Sequence, residues 1–259
     1  MEKSLQPIGL FDSGIGGTSI WREIHSLLPN EDTIYLADSK NAPYGQRSKE
    51  EIVALSFKNT DYLIAQGAKL IVVACNTATT NAITELREAY DIPFIGIEPA
   101  IKPAAIHTKT NAIGILATKG TLSSELFSKT VAGFTNVNVV EQVGYNLVSL
   151  IENGKLNSPE IMALLQEYLQ PMIDANIDYL VLGCSHYPYL VPQIKKILPE
   201  SVAIIDSGAA VAKRTKAILK QHDLLNTLPH QSTQAFYTNY NPDVLQSIVG
   251  SYTVAERDF

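Results

Sequence analysis

The chain has 259 residues, 46% of them hydrophobic and 18% charged, with a mean hydropathy of +0.04; these are the proportions of a packed globular protein with room for two half-domains, not of a disordered chain. The formal net charge is −6, and the densest basic group, Lys213, Arg214 and Lys216, suits the solvated face of a helix, which argues against a phosphate-reading surface and so against nucleic acid as a partner. Residues 1–7 hold no apolar signal core, no apolar run nears the roughly 20 residues of a membrane span, and two cysteines make no disulfide framework, so a soluble, cytoplasmic protein with two thiols and no membrane partner is expected.

The run Ile8–Phe11 leads into Asp12–Ser13–Gly14–Ile15–Gly16–Gly17–Thr18. A dinucleotide fingerprint starting at Gly14 would need glycine or alanine at position 19, which is Ser19. The glycines instead predict backbone amides that approach a small anion, with Asp12 placed to orient an ammonium group or a thiol; a tight strand-to-helix turn explains the motif equally well. After a strand over Thr33–Ala37 comes the polar loop Asp38–Gly45, in which Pro43–Tyr44–Gly45 would hold an aromatic hydroxyl in place. Ser48 and Glu51 form a capping box for a helix that Gly67 should end.

The run Leu70–Ala74 ends at Cys75, and Asn76–Thr77–Ala78–Thr79 opens a helix. Amides at a helix start, with three polar side chains beside them, attract a carboxylate; a buried structural cysteine before an ordinary cap is the plainer reading. Further runs follow at Phe94–Ile97, Ala112–Leu116 and Val137–Val140. Glu152 ends a short helix and, by itself, reads as a surface carboxylate, while Ser158–Pro159 cap the next helix. Tyr179–Leu182 then leads to Gly183–Cys184–Ser185–His186–Tyr187–Pro188. There an imidazole beside a thiol can tune it or share its proton traffic. Val202–Ile205 is the last run. The runs are continuous and alternate with helices, which predicts an α/β protein with mainly parallel sheets buried on both faces.

Three landmarks recur in order. Ile8–Gly14 resembles Ile113–Gly120, the run to Cys75 resembles the run to Cys184, and Ile95–Glu98 resembles Ala203–Asp206, at offsets of 105, 109 and 108 residues. The repeat predicts two similar three-layer αβα domains related by a pseudo-twofold axis, one formed by residues 1–98 with part of the tail (about 210–259) and the other by 99–209. Each half then carries a cysteine at the carboxyl end of an equivalent strand, where open α/β sheets place their sites, so that both thiols face one cavity between the domains.

At Gly9–Gly17, Ala42–Gly45, Ala74–Ala78 and Leu182–Pro188 the chain resembles the glutamate racemase family, in order, in spacing and over nearly its whole length. The resemblance implies cofactor-independent interconversion of L- and D-glutamate, supply of D-glutamate for peptidoglycan, no metal, and a homodimer. It implies that Cys75 takes the proton from D-glutamate and Cys184 from L-glutamate, that Asp12 assists Cys75, and that His186 and Glu152 assist Cys184. It places Asp12, Ser13, Tyr44, Gly45, Asn76, Thr77, Ser185 and His186 on the substrate, with Thr118 and Thr121 nearby. Position 185 departs from the family's usual threonine; serine keeps the hydroxyl and loses a methyl, for a slightly looser pocket.

The chemistry suits thiols. Racemisation removes an α-hydrogen and returns one to the opposite face, and a thiol of ordinary pKa about 8.5 serves as acid or base near neutrality. Four rivals remain: a dithiol redox protein, which needs Cα atoms about 4.4–6.8 Å apart; a metal site, for which ligands are too few; a non-catalytic amino-acid-binding protein; and an aspartate racemase, distinguished by pocket depth.

Overall fold

The computed structural model describes residues 3–228 and 231–259. Met1, Glu2, Pro229 and His230, which fall within the leader and tail readings above, lie outside the described residues. Among the described residues, ten strands form two sheets. They are β1 (Ile8–Asp12), β2 (Thr33–Ala37), β3 (Leu70–Val73), β4 (Phe94–Gly96), β5 (Ala112–Ala117), β6 (Asn138–Val143), β7 (Tyr179–Gly183), β8 (Ala203–Ile205), β9 (Gln234–Thr238) and β10 (Val254–Glu256). The first sheet has the order β10-β9-β2-β1-β3-β4 and the second β6-β5-β7-β8. Every pairing in both is parallel, as continuous apolar runs joined by helices require.

Side chains alternate across each sheet, and both faces are covered. Ile8, Leu10, Leu70 and Val72 enter one cluster, whereas Phe11, Leu36, Ile71 and Val73 enter another. In the second sheet Leu116, Leu180 and Leu182 join the first of these clusters, while Ile113, Ile115 and Val181 enter a third. One core therefore runs through both halves. The helix Gly208–Gln221, which follows β8, contributes Val211, Ile218 and Leu219 to it beside Ile20, Trp21 and Ile24 of the helix Thr18–Leu27. The tail returns to the first sheet, with Thr33–Ala37 paired to Gln234–Thr238.

Local signals fold as their chemistry dictates. Ser48 and Glu51 complete both hydrogen bonds of a capping box on the helix Lys49–Ala65, and Gly67 follows its end at φ +83°, a conformation costly for a residue with a Cβ. Ser158 caps the helix Pro159–Asp174, with proline in the first turn. The strand expected over Val137–Val140 instead runs Asn138–Val143. It is an edge strand with half-exposed residues, so Glu141 and Gln142 are tolerated in it and the apolar pattern stops short of its end. No helix among the described residues is long and apolar enough to cross a membrane.

Candidate active site

Strand register brings the site together. Phe11 pairs with Val73, so the ends of β1 and β3 are level and Asp12 lies beside the segment Ala74–Cys75. Ala117 pairs with Gly183, so Thr118 and Cys184 follow level strand ends in the other sheet. The two ends border one small cavity, lined from the first half by Ser13, Tyr44, Gly45, Cys75, Asn76 and Thr77 and from the second by Thr118, Val148, Cys184, Ser185 and His186. Asp12 and Glu152 stand behind this lining. Both cysteines are buried and free.

Cys75 is the N-cap of the helix Asn76–Ala89. Its sulfur accepts the Ala78 amide at 3.4 Å, and its thiol donates to Ser13 Oγ at 3.7 Å. Burial, and then the charge of Asp12, push this thiol well above its ordinary pKa. Asp12 is fully buried; it accepts the Gly14 amide at 3.1 Å and the Ser185 hydroxyl at 2.9 Å. Burial raises its carboxyl, against the lowering effect of His186 and the Ser185 bond.

Cys184 Sγ lies 3.8 Å from His186 Nδ1, and His186 Nε2 lies 2.5 Å from Glu152 Oε1. Burial works against a charged imidazole, but the hydrogen bonds to Cys184 and Glu152, with the negative charges of Asp12 and Glu152, outweigh it and hold His186 well above its ordinary value. Glu152 is not the surface residue that its helix position suggests. Its side chain is 11% exposed, and besides His186 it accepts the Ile15 amide at 2.7 Å and the Ser39 hydroxyl at 2.8 Å.

The glycine loop has a different use from the one expected. The Ile15 amide does meet an anion, but it is the chain's own Glu152. A Cβ on Gly14 would stand 1.9 Å from Glu152 Oε1, and one on Gly16 would stand 2.2 Å from His186 Nδ1. These two glycines leave the space in which the second half's carboxylate and imidazole dock. The Tyr44 hydroxyl is engaged by protein partners, donating to Asp38 and accepting from Asn59 Nδ2 at 3.0 Å.

The remaining polar groups suit a small zwitterion. Asn76 donates to the Ile97 carbonyl at 3.4 Å, while its buried Oδ1 has no partner; an orphaned acceptor on a cavity wall fits a ligand's ammonium. The hydroxyls of Thr77, Thr118 and Thr121 form a triangle across the two halves, with sides of 2.8, 3.4 and 3.0 Å. The Asp/Glu/Hydantoin racemase family model matches residues 8–215. The chain belongs to that family.

Relatives within the family narrow the comparison. The glutamate racemase of Ectopseudomonas mendocina is 48% identical over 236 residues, 90% of each chain. The crystal structure of glutamate racemase from Francisella tularensis in complex with D-glutamate superposes with a TM-score of 0.85 at 32% identity, covering 98% of each chain. The Escherichia coli glutamate racemase in complex with L-glutamate and the activator UDP-MurNAc-ala gives 0.84 at 32% identity over 97% of each chain. Residues that sequence reasoning passed over are Ser39, Asp38, Asn59 and Val148. Asp38 and Ser39 lay in a loop already marked as polar; Val148, an apolar residue on a short helix, gave no signal.

Proposed function

We propose that the protein is a glutamate racemase that interconverts L- and D-glutamate without a cofactor, using Cys75 and Cys184 as bases on opposite faces of the α-carbon. The observation that carries this reading is that two free, buried thiols from equivalent strand ends of different sheets line a single small cavity, in a chain 48% identical to a glutamate racemase.

From D-glutamate, the Cys75 thiolate takes the α-proton and the Cys184 thiol delivers one to the other face; from L-glutamate the roles reverse. Each turnover moves the negative charge from one sulfur to the other. Asp12 opposes charge on Cys75, so a substrate ammonium group that offsets Asp12 makes the Cys75 thiolate easier to form when substrate is bound. The carboxylates of the substrate find donors in Ser13 and Thr77 and in the start of the helix Asn76–Ala89, while Asn76 Oδ1 is left to accept from the ammonium and Ser185 is bound to Asp12 beside it. Charge developing at the α-carbon is met by these preorganised donors in a site closed to water. In the cell the product D-glutamate would enter peptidoglycan from the cytoplasm, the enzyme acting as a homodimer with no nucleic-acid partner.

Incubation with L-glutamate in D₂O, with no cofactor added, tests the reading by following optical rotation and α-deuterium together. Loss of rotation with deuterium entering the product is expected. A folded, reduced protein that leaves L-glutamate unchanged would refute it; conversion of aspartate instead would mark an aspartate racemase.

A further inference from the structure

Glu152 is held from the opposite half of the molecule. It ends the helix Leu147–Glu152, between β6 and β7 of the second sheet. Two of its three hydrogen-bond donors, the Ile15 amide and the Ser39 hydroxyl, belong to loops that follow β1 and β2 of the first sheet. Ile15 and His186 share Oε1, and Ser39 alone takes Oε2. Ser39 and Glu152 also border an open hollow that reaches Asn153 and Tyr240. A carboxylate beside such a hollow has room to turn outward unless its outer oxygen is tied, and Ser39 supplies the tie.

We propose that Ser39 is a positioning residue for this reaction: with the Ile15 amide it clamps Glu152 against His186, so that the proton partner of Cys184 is complete only when the two halves meet. The inference rests on the glutamate racemase reading. When the proton on the Cys184 thiol passes to His186 Nδ1, the sulfur becomes a thiolate and the ring an imidazolium, whose Nε2–H is held by the Glu152 carboxylate. A base oriented by a third group is the common arrangement for activating a nucleophile, and here the third group is itself oriented by a fourth across the domain boundary. The counterpart bond runs the other way, from Ser185 of the second half to Asp12 of the first.

The test measures racemisation of α-protio and α-deutero glutamate in both directions by the full chain and its Ser39→Ala and Ser39→Thr variants. Enantiomers have equal free energy, so kcat/KM must be the same in both directions for every variant; the information lies in kcat and in the isotope effects. Raising the barrier at the Cys184 side makes that transfer more limiting in both directions. Ser39→Ala is therefore expected to lower kcat about tenfold, as for loss of one hydrogen bond to a charged group, with KM nearly unchanged. The α-deuterium effect should rise from L-glutamate, where Cys184 breaks the bond, and fall from D-glutamate, where Cys75 does. Ser39→Thr keeps the hydroxyl and should stay within a few fold of the parent.

Isotope effects in Ser39→Ala equal to those of the parent in both directions, while Glu152→Gln shows the opposed change, would overturn the clamp and leave the racemase reading intact. Equal losses in the Ala and Thr variants without the opposed change would also overturn it, since they indicate packing alone. A parent protein that racemises no glutamate would remove the underlying reading and the clamp with it.

Discussion

The two thiols occupy equivalent strand ends and differ in nearly everything else. Cys75 begins the helix Asn76–Ala89, with an amide and a serine hydroxyl as its polar contacts and the charge of Asp12 close by. Cys184 precedes a short 3₁₀ turn, Tyr187–Leu190, and faces an imidazole backed by a carboxylate. Matching strand orders, β2-β1-β3-β4 and β6-β5-β7-β8, therefore supply two positions, and the loops around each surround its thiol with different groups. If both thiols serve racemisation as proposed, the balanced equilibrium between enantiomers lets this asymmetry surface only in individual steps.

The largest effect should come from removing either thiol. Cys75→Ser and Cys184→Ser should each cut racemisation by roughly 10²–10⁴-fold or more, the range expected for an acid–base group. The comparison sharpens in exchange of the α-proton with D₂O: Cys75→Ser should retain exchange on L-glutamate only, and Cys184→Ser on D-glutamate only. Full racemisation by either variant would end the two-base assignment.

A smaller effect should appear in Glu152→Gln, which strikes one arm alone. His186 titrates above its ordinary value because of Cys184 and Glu152. A raised pKa in the folded state stabilises the fold fully below the unfolded value, about 6.5, and that contribution fades as pH rises through the raised value. In Glu152→Gln the His186 midpoint, followed by NMR, should move down and this pH dependence should shrink. An unmoved midpoint would show that Glu152 does not support the ring.

The smallest effect should be that of Tyr44→Phe. Its hydroxyl serves the buried Asp38 and Asn59, so denaturant unfolding should show a loss of about 1–2 kcal/mol while KM for glutamate changes little. A large rise in KM at unchanged stability would mean that the hydroxyl reaches the substrate.

Much of this was legible in the chain itself. Ile8–Phe11, Leu70–Ala74 and Tyr179–Leu182 had to be buried strands because continuous apolar runs need cover on both faces. The helix beginning at Asn76 and the capping box at Ser48 are written in local side-chain chemistry. The near-constant offset of the landmarks by itself points to two thiols at equivalent strand ends. The tail strand Gln234–Thr238 was harder, since it mixes polar with apolar residues and its place beside β2 depends on a pairing across about 200 residues of chain.

The sequence by itself determined the elements, the strand ends on which Cys75 and Cys184 sit, and the donor-rich residues after each, because those depend on burial period and on contacts a few residues apart. Only the tertiary structure decided what Glu152, Gly14, Gly16, Ser39 and the Tyr44 hydroxyl do. Glu152 meets Ile15 across 137 positions and Ser39 across 113, and no local pattern carries such a meeting. A carboxylate at a helix end reads as solvated until the other half of the molecule brings amide and hydroxyl donors to it, and a glycine reads as a turn until a side chain from elsewhere fills the space where its Cβ would be.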